Sequence, residues 1–253
     1  MLFNYHTHTK RCHHAEGEDR EYVEAAISAG IKTLGFSDHA PYVFPDKNFI
    51  SWHRMATDEL FSYTESVRAL AKEYVNDIRI LCGFELEYYP ALHKQEMHFL
   101  RQAKPDYFIL GQHFLGNEYD GAISAHGKSE AEYLRAYVTQ TIEGLSTGDF
   151  LYLAHPDLHG WRCEHTIAEQ EYRRLCEFAK EKNIPLEINL LGVRDNRCYP
   201  SPKFWKIAAD VGVKAVLGVD AHSPAAFLNT EAKKKAFGFA QELGLQLVQS
   251  PLL

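Results

Sequence analysis

The sequence predicts an α/β fold, a (β/α)7 barrel with its active site at the C-terminal ends of the strands. Three observations carry that expectation. Seven short apolar segments alternate with helical patterns, the order of a parallel sheet with helical crossovers. Histidine or carboxylate stands at or just after the C-terminal end of strands one, two, three, four, five and seven. In a barrel those ends converge on one rim, whereas the outer ends of an open sheet lie too far apart to share a site.

The elements follow in order. Leu2-Phe3-Asn4-Tyr5 reads as the first strand and delivers His6-Thr7-His8. Residues i and i+2 share one face of a strand, so His6 and His8 can aim at one point as two ligands of one ion. As a short motif, HxH also fits a pair of solvated histidines. A helix follows over 18–29, with Tyr22, Val23, Ala26 and Ile27 as its apolar stripe and Gly30 as its stop. The second strand, 33–37, runs into Asp38-His39-Ala40-Pro41. The loop from Tyr42 to Ala56 is long and aromatic, a lid or packing over a site.

A helix over 57–74 leads to the third strand, 78–84, which delivers Glu85. A helix over 92–103 precedes the fourth strand, 106–110, which delivers His113. Residues 116–128 read as a loop or hairpin. Ser129 with Glu132 forms a capping box for a helix to about 145. The fifth strand, 150–154, ends at His155. Thr166 with Glu169 is a second capping box, for a helix to about 182. The sixth strand, 185–189, opens a loop with Arg194, Arg197 and Pro200, then a helix over 202–211. The seventh strand, 215–219, ends at Asp220, followed by His222. A helix over 230–243 and a short apolar tail complete the chain.

A chain of 253 residues suits one large α/β domain or two small ones. With no internal linker or low-complexity segment, residues 1–253 read as a single domain. The 45% hydrophobic and 24% charged fractions are those of an ordinary globule. Lysine plus arginine number 27 against 34 acidic residues, a net charge of −7. That disfavours a general nucleic-acid binder. It leaves room for a small anionic substrate, because a metal cluster can outweigh the net charge locally. The five cysteines, Cys12, Cys82, Cys163, Cys176 and Cys198, are scattered without a CxxC. Reduced thiols in a cytoplasmic protein are expected, with Cys12 a bystander among the histidines. No signal segment opens the chain and no apolar run approaches ~18 residues, so neither secretion nor membrane spanning is expected.

Seven of the fourteen histidines sit at strand ends or in the opening motif: His6, His8, His14, His39, His113, His155 and His222. The others, His13, His53, His93, His98, His126, His159 and His165, read as solvated side chains in loops and on helices. Glu85 and Asp220 share the strand-end pattern. Imidazole with carboxylate suits Zn²⁺, Fe²⁺ or Mn²⁺, and the lack of cysteine ligands argues against a closed structural zinc site.

These stretches together resemble the PHP (polymerase and histidinol phosphatase) family, and most of all its histidinol-phosphate phosphatases. The carrying residues are His6-Thr7-His8, His14-Ala15-Glu16-Gly17, Ser37-Asp38-His39-Ala40-Pro41, Gly83-Phe84-Glu85, Gly111-Gln112-His113-Phe114, Ala154-His155-Pro156-Asp157-Leu158 and Gly218-Val219-Asp220-Ala221-His222. They span residues 6–222. The resemblance implies a distorted (β/α)7 barrel and three divalent metal ions, Zn, Fe or Mn. One ion would take His6, His8, Glu85 and Asp220. A second would share Glu85 and take His113 and His155. The third would take His14, His39 and His222. Members serving as non-catalytic polymerase domains often lose some of these positions, so the complete set favours a working enzyme.

The implied chemistry follows from the ions. A water bridging two divalent ions becomes a nucleophile near neutral pH, and paired ions neutralise charge on phosphate oxygens. The expected activity is hydrolysis of L-histidinol phosphate to L-histidinol and phosphate, with Glu85, Asp220 and His222 in catalytic roles. Arg162, Arg194 and Arg197 are candidates for binding the phosphate, since a guanidinium suits bidentate contact. The expected partner is a small phosphorylated molecule, with neither nucleic acid nor membrane. The rivals are another PHP phosphoesterase acting on nucleotides or oligonucleotides, and a non-catalytic metal-binding module.

Overall fold

The computed structural model describes residues 1–253 except 47, 124–128, 251 and the side chains of 122 and 123. Two parallel sheets form its centre. The first has the order β1 (Phe3–Asn4), β2 (Thr33–His39), β3 (Arg79–Leu86), β4 (Tyr107–Leu110). The second is β7 (Leu186–Asn189), β8 (Lys214–Gly218), β9 (Gln246–Leu247). Helices α1 (Asp19–Ser28), α2 (Leu60–Glu73), α3 (His93–Leu100), α4 (Ala131–Ser146), α5 (His165–Glu181), α7 (Pro202–Val211) and α8 (Thr230–Glu242) connect the strands. A short antiparallel pair, β5 (Phe114–Leu115) with β6 (Ala122–Ile123), makes a hairpin at the start of the 116–128 stretch that the sequence reads as a loop or hairpin, whose last residues, 124–128, lie outside the described ones.

The expected fifth strand, 150–154, is not a regular strand. It joins the two sheets through single bridges from Leu153 to Leu110 and to Leu186. Leu151 N donates to Phe108 O at 2.8 Å, and Glu187 N donates to Leu153 O at 2.9 Å. Pairing stops because His155 turns away with φ +27° and Pro156 has no N–H to offer. The result is one curled parallel sheet. At the opposite seam, Thr7 bridges Ala221, with His8 N donating to Ala221 O at 2.9 Å.

Two core layers follow from strand alternation. Outward residues Leu34, Phe36, Ile80, Cys82 and Phe84 meet Tyr22, Val23, Ala26, Leu60, Tyr63 and Val67 of α1 and α2. Inward residues Phe3, Tyr5, Leu81, Tyr107, Ile109, Tyr152, Ala154 and Val216 fill the hollow of the sheet. Each large apolar side chain so buried contributes ~1.5–3 kcal/mol. Tyr107 crosses this hollow to lie 2.8 Å from Tyr5 O and 2.9 Å from Phe36 O. It fits because residues 35 and 83 are glycine: a Cβ at Gly83 would stand 2.6 Å from the Tyr107 ring. This floor leaves the inward positions above it, including Glu85, for polar groups.

Some local expectations fail. Neither capping box forms: Glu130 and Glu164 take the N-cap positions, with no side-chain cap. Glu132 therefore sits at the second helical position, and Thr166 is already inside the first turn of α5. The loop expected after the sixth strand begins with a helix, α6 (Leu190–Asp195), capped by Asn189, whose side-chain oxygen accepts from Gly192 N at 2.9 Å. The apolar tail supplies β9, which pairs with β8.

Candidate metal centre

The strand ends deliver the site residues as alternation demands. β2 and β3 pair in register so that His39 stands beside Glu85. Glu85 and Glu87 share the inward face at the top of β3. Residue 111 must be glycine, because a Cβ there would overlap the Glu85 carboxylate. His155 and Asp220 both have positive φ, +27° and +51°, in a region that non-glycine residues rarely occupy. Such strain gathers at functional sites.

Glu85 is the hub, 1% exposed. Its Oε1 lies 2.8 Å from His155 Nε2, 3.6 Å from His6 Nε2 and 3.7 Å from His113 Nε2. Its Oε2 lies 3.0 Å from His39 Nδ1 and 3.5 Å from His8 Nε2. Asp220 Oδ1 stands 3.4 Å from His6 Nε2, 3.2 Å from His8 Nε2 and 3.3 Å from His222 Nδ1. His14, His39 and His222 bring nitrogens within 4.8 Å of one another. All nine residues selected from the sequence as ligands therefore meet at one rim.

Behind them stands a layer of acceptors. His6 Nδ1 is 2.8 Å from Glu187 Oε1, His8 Nδ1 is 3.4 Å from Asp38 Oδ1, and His113 Nδ1 is 3.0 Å from Glu87 Oε1. His14 Nδ1 is 2.7 Å from Cys12 O. Each partner fixes a ring and leaves the other nitrogen for the centre, the usual support of a metal-binding histidine.

Charge within the cluster is divided. Burial works against a charge on His6, yet Asp220, Glu187 and Glu85 outweigh it and hold its pKa well above the ordinary value. Burial, with His53 alongside, holds His39 well below it. Burial and His8 do the same to His222. Neutral imidazole is the form that ligates a metal. His39 Nδ1, Glu85 Oε2 and Asp220 Oδ1 are buried, and although they lie close to one another or to neighbouring rings, none of those contacts has the geometry of a hydrogen bond. Leaving a carboxylate oxygen so is costly, and a divalent cation is what would satisfy it. The residues present fit divalent ions held by nitrogen and oxygen. Cys12 Sγ lies near His8 and His222, and burial and Asp38 push its pKa up.

The rim opens on a cleft of about 540 Å³ lined by the ligands other than the fully buried His6, together with Phe114, Leu191, Arg194, Arg197 and Tyr199. Arg194 Nε pairs with Asp195 Oδ1 at 2.7 Å. Arg197 reaches Tyr199 Oη at 2.9 Å and Asp195 Oδ2 at 3.4 Å. Arg162 is exposed and does not line the cleft.

Three histidines expected to be solvated are not. His53 sits at the centre's edge, its ring 4.2 Å from that of His39 and 5.1 Å from that of His14. Burial lowers its pKa to about 2. His93 is buried, with Nε2 2.9 Å from Asp149 Oδ2. His159 is fully buried 5.9 Å from the Tyr137 ring. His13, His98 and His165 are exposed, as expected, and His126 lies outside the described residues. Glu87 and Glu187 were also missed. Glu187 carries a charge at an inward position within the apolar strand β7, and Glu87 stands two residues beyond Glu85, just past the end of β3.

No described helix is long and apolar enough to cross a membrane. The chain is 29% identical over 238 residues to a probable histidinol-phosphatase of Deinococcus radiodurans, covering 88% of this chain and 87% of that one. It is 32% identical over 149 residues to the histidinol-phosphatase of Bacillus subtilis, covering 52% and 56%. Among solved structures it shares the fold of the histidinol phosphate phosphatase of Lactococcus lactis, determined with zinc, L-histidinol and phosphate. The TM-score is 0.75 at 19% identity, over 98% of this chain and 95% of that one. Residues 4–190 match the family model of the PHP domain, and the chain belongs to that family.

Proposed function

We propose that the protein is a metal-dependent phosphomonoesterase that hydrolyses L-histidinol phosphate to L-histidinol and phosphate, a step of histidine biosynthesis. The observation that carries this reading is the gathering of nine ligand-type side chains, with Glu85 as their hub, at the mouth of a cleft sized for a small molecule. Relatives named histidinol-phosphatase support the substrate.

In this reading the site would take three divalent ions, of zinc, iron or manganese. His6, His8, Glu85 and Asp220 would hold one, Glu85, His113 and His155 a second, and His14, His39 and His222 a third. Such ions supply a nucleophile at neutral pH and charge to set against the phosphate oxygens. The chain does the rest. Glu85 ties two positions together, Asp220 joins His6 and His8 to His222, and Glu187, Asp38 and Glu87 orient the rings. Arg197 and Arg194 line the same cleft, where a guanidinium can grip a phosphate.

We read the curled sheet as a distorted (β/α)7 barrel, supported by the bridges at both seams. We read residues 1–253 as one domain, since Leu252 N donates to Tyr5 Oη at 2.9 Å across 247 residues. Five free thiols accord with a cytoplasmic setting.

The test is a phosphate-release screen of the metal-loaded protein. Histidinol phosphate should give the highest kcat/KM against sugar and nucleotide phosphates. A preference for nucleotides or oligonucleotides would move the chain to another activity of the family. Full metal content without any hydrolysis would make it a binding module.

A further inference from the structure

Arg54 belongs to the long 42–56 loop, yet its side chain is 1% exposed. A guanidinium that deep needs acceptors for its N–H groups. Its two terminal nitrogens grip both oxygens of Glu87, each at 3.0 Å. Nη1 also donates to Ala40 O at 3.0 Å, and Nε donates to Glu118 Oε2 at 2.6 Å. The Tyr42 ring packs 5.0 Å from the guanidinium carbon. One planar group thus joins the end of β3, the residue after β2 and the turn between β5 and β6.

Glu87 reaches the metal centre directly, and Glu118 reaches its edge through Ser51, whose Oγ accepts from His53 N at 3.0 Å. Glu87 Oε1 lies 3.0 Å from His113 Nδ1, and His113 turns Nε2 toward Glu85. Glu118 Oε1 accepts from Ser51 Oγ, so the same carboxylate closes the turn that carries His53. We propose that Arg54 is a positioning residue of the metal centre: through Glu87 it fixes the ring of His113, and through Glu118 it holds His53 against the ligands. The inference rests on the metal-dependent reading above. Lysine cannot replace this arginine, because a point charge cannot grip both oxygens of one carboxylate and reach a second carboxylate.

The test reads metal retention as well as turnover. Wild type, Arg54→Gln, Arg54→Lys, Glu87→Gln and the Arg54→Gln/Glu87→Gln double variant are loaded with Zn²⁺. Each is dialysed against graded chelator and analysed for bound zinc, with circular dichroism to confirm folding. Each single variant should release zinc at ~10–100-fold lower chelator than wild type, the range for partners of metal ligands. The double variant should lose no more than one single variant, because both changes break one chain of contacts. Wild-type retention in folded Arg54→Gln overturns the proposal, and so do additive losses. If Arg54→Gln fails to fold, Arg54→Lys beside Glu87→Gln decides by the same retention criterion. A wild-type chain that binds no divalent ion and releases no phosphate defeats the metal-dependent reading itself, and this inference with it.

Discussion

Glu187 Oε1 lies 2.8 Å from His6 Nδ1, although 181 residues separate them in the chain. The contact spans the hollow of the curled sheet, from β7 to the chain just after β1. Glu187 is otherwise occupied with Tyr152 Oη at 3.2 Å, His155 N at 3.1 Å and Asn189 Nδ2 at 2.9 Å. A carboxylate held on so many sides cannot turn away. It keeps the His6 proton on Nδ1 and leaves Nε2 for the centre.

Glu187→Gln should therefore weaken metal binding without unfolding the chain. Glutamine keeps the shape but loses the charge behind His6. We expect zinc affinity to fall ~10–100-fold, measured by titration against a competing chelator. Affinity equal to wild type would make Glu187 a packing residue. Gly218→Ala should act on the same element, because the added Cβ would overlap the Glu187 carboxylate.

Glu85→Gln should be more severe. It touches imidazoles assigned to all three proposed ions and carries part of the charge that balances them. Activity should fall at least ~100-fold, with bound metal reduced. Chelation of the wild type should likewise abolish phosphate release, and Zn²⁺, Mn²⁺ or Fe²⁺ should restore it. Elemental analysis of unchelated protein should find more than one equivalent of metal. Full activity with under half an equivalent would reject the trinuclear arrangement.

Much of this centre was legible because strand order and residue chemistry coincide. An imidazole or carboxylate at six of the seven expected strand ends needs only the parallel topology to bring it to the rim, and His39 and Glu85 meet through register alone. What escaped depended on tertiary contacts. His53 lies in a loop with no periodicity, and its place is set by the Arg54, Glu87 and Glu118 network. Glu187 reads as an ordinary strand residue until the sheet curls and brings β7 to His6. α6 is six residues long, too short to show a helical stripe. The broken fifth strand was hidden because Phe150 to Ala154 has ordinary strand composition, while its pairing ends at the backbone of His155 and Pro156.

Glu96 should make stability depend on pH. Burial pushes its carboxyl up to about 8, while Oε2 accepts from Val43 N at 3.1 Å. In the unfolded chain a glutamate titrates at roughly 4.3. Between those values the folded state keeps a proton that the unfolded state has released. Stability is then fully present below about pH 4.3 and falls as pH rises toward 8, by up to about 1.4 kcal/mol per unit. Glu96→Gln mimics the protonated form and removes that slope. Its Tm should exceed the wild-type value by at least ~2 °C at pH 8, with the gap closing by pH 5. Parallel Tm curves for the two proteins from pH 5 to 8 would show that Glu96 does not carry the effect.

Arg197 should bind the phosphate. Its side chain is 46% exposed and lines the same cleft as Asp220 and His222. Its contact with Asp195, at 3.4 Å, is looser than the 2.7 Å pair that Arg194 makes with the same carboxylate. Tyr199 Oη supports it at 2.9 Å without neutralising it. A partly exposed guanidinium with a supported stem can turn toward an incoming anion at little cost. Arg162 lies off the cleft lining and cannot replace it without rearrangement. A charge-assisted contact of about 1.5–3 kcal/mol corresponds to a ~10–150-fold effect. Arg197→Ala should raise KM for histidinol phosphate within that range, with metal content unchanged. A contact equal in ground and transition states changes KM alone, whereas one strengthened in the transition state also lowers kcat. We expect both, because negative charge builds on the departing ester oxygen as the bond breaks, and a guanidinium beside the phosphoryl group meets more of that charge than it does in the ground state. Arg194→Ala should cost less, and Arg162→Ala no more than ~2-fold. Wild-type kinetics for Arg197→Ala beside a large loss for Arg162→Ala would transfer the phosphate contact to the loop before α5.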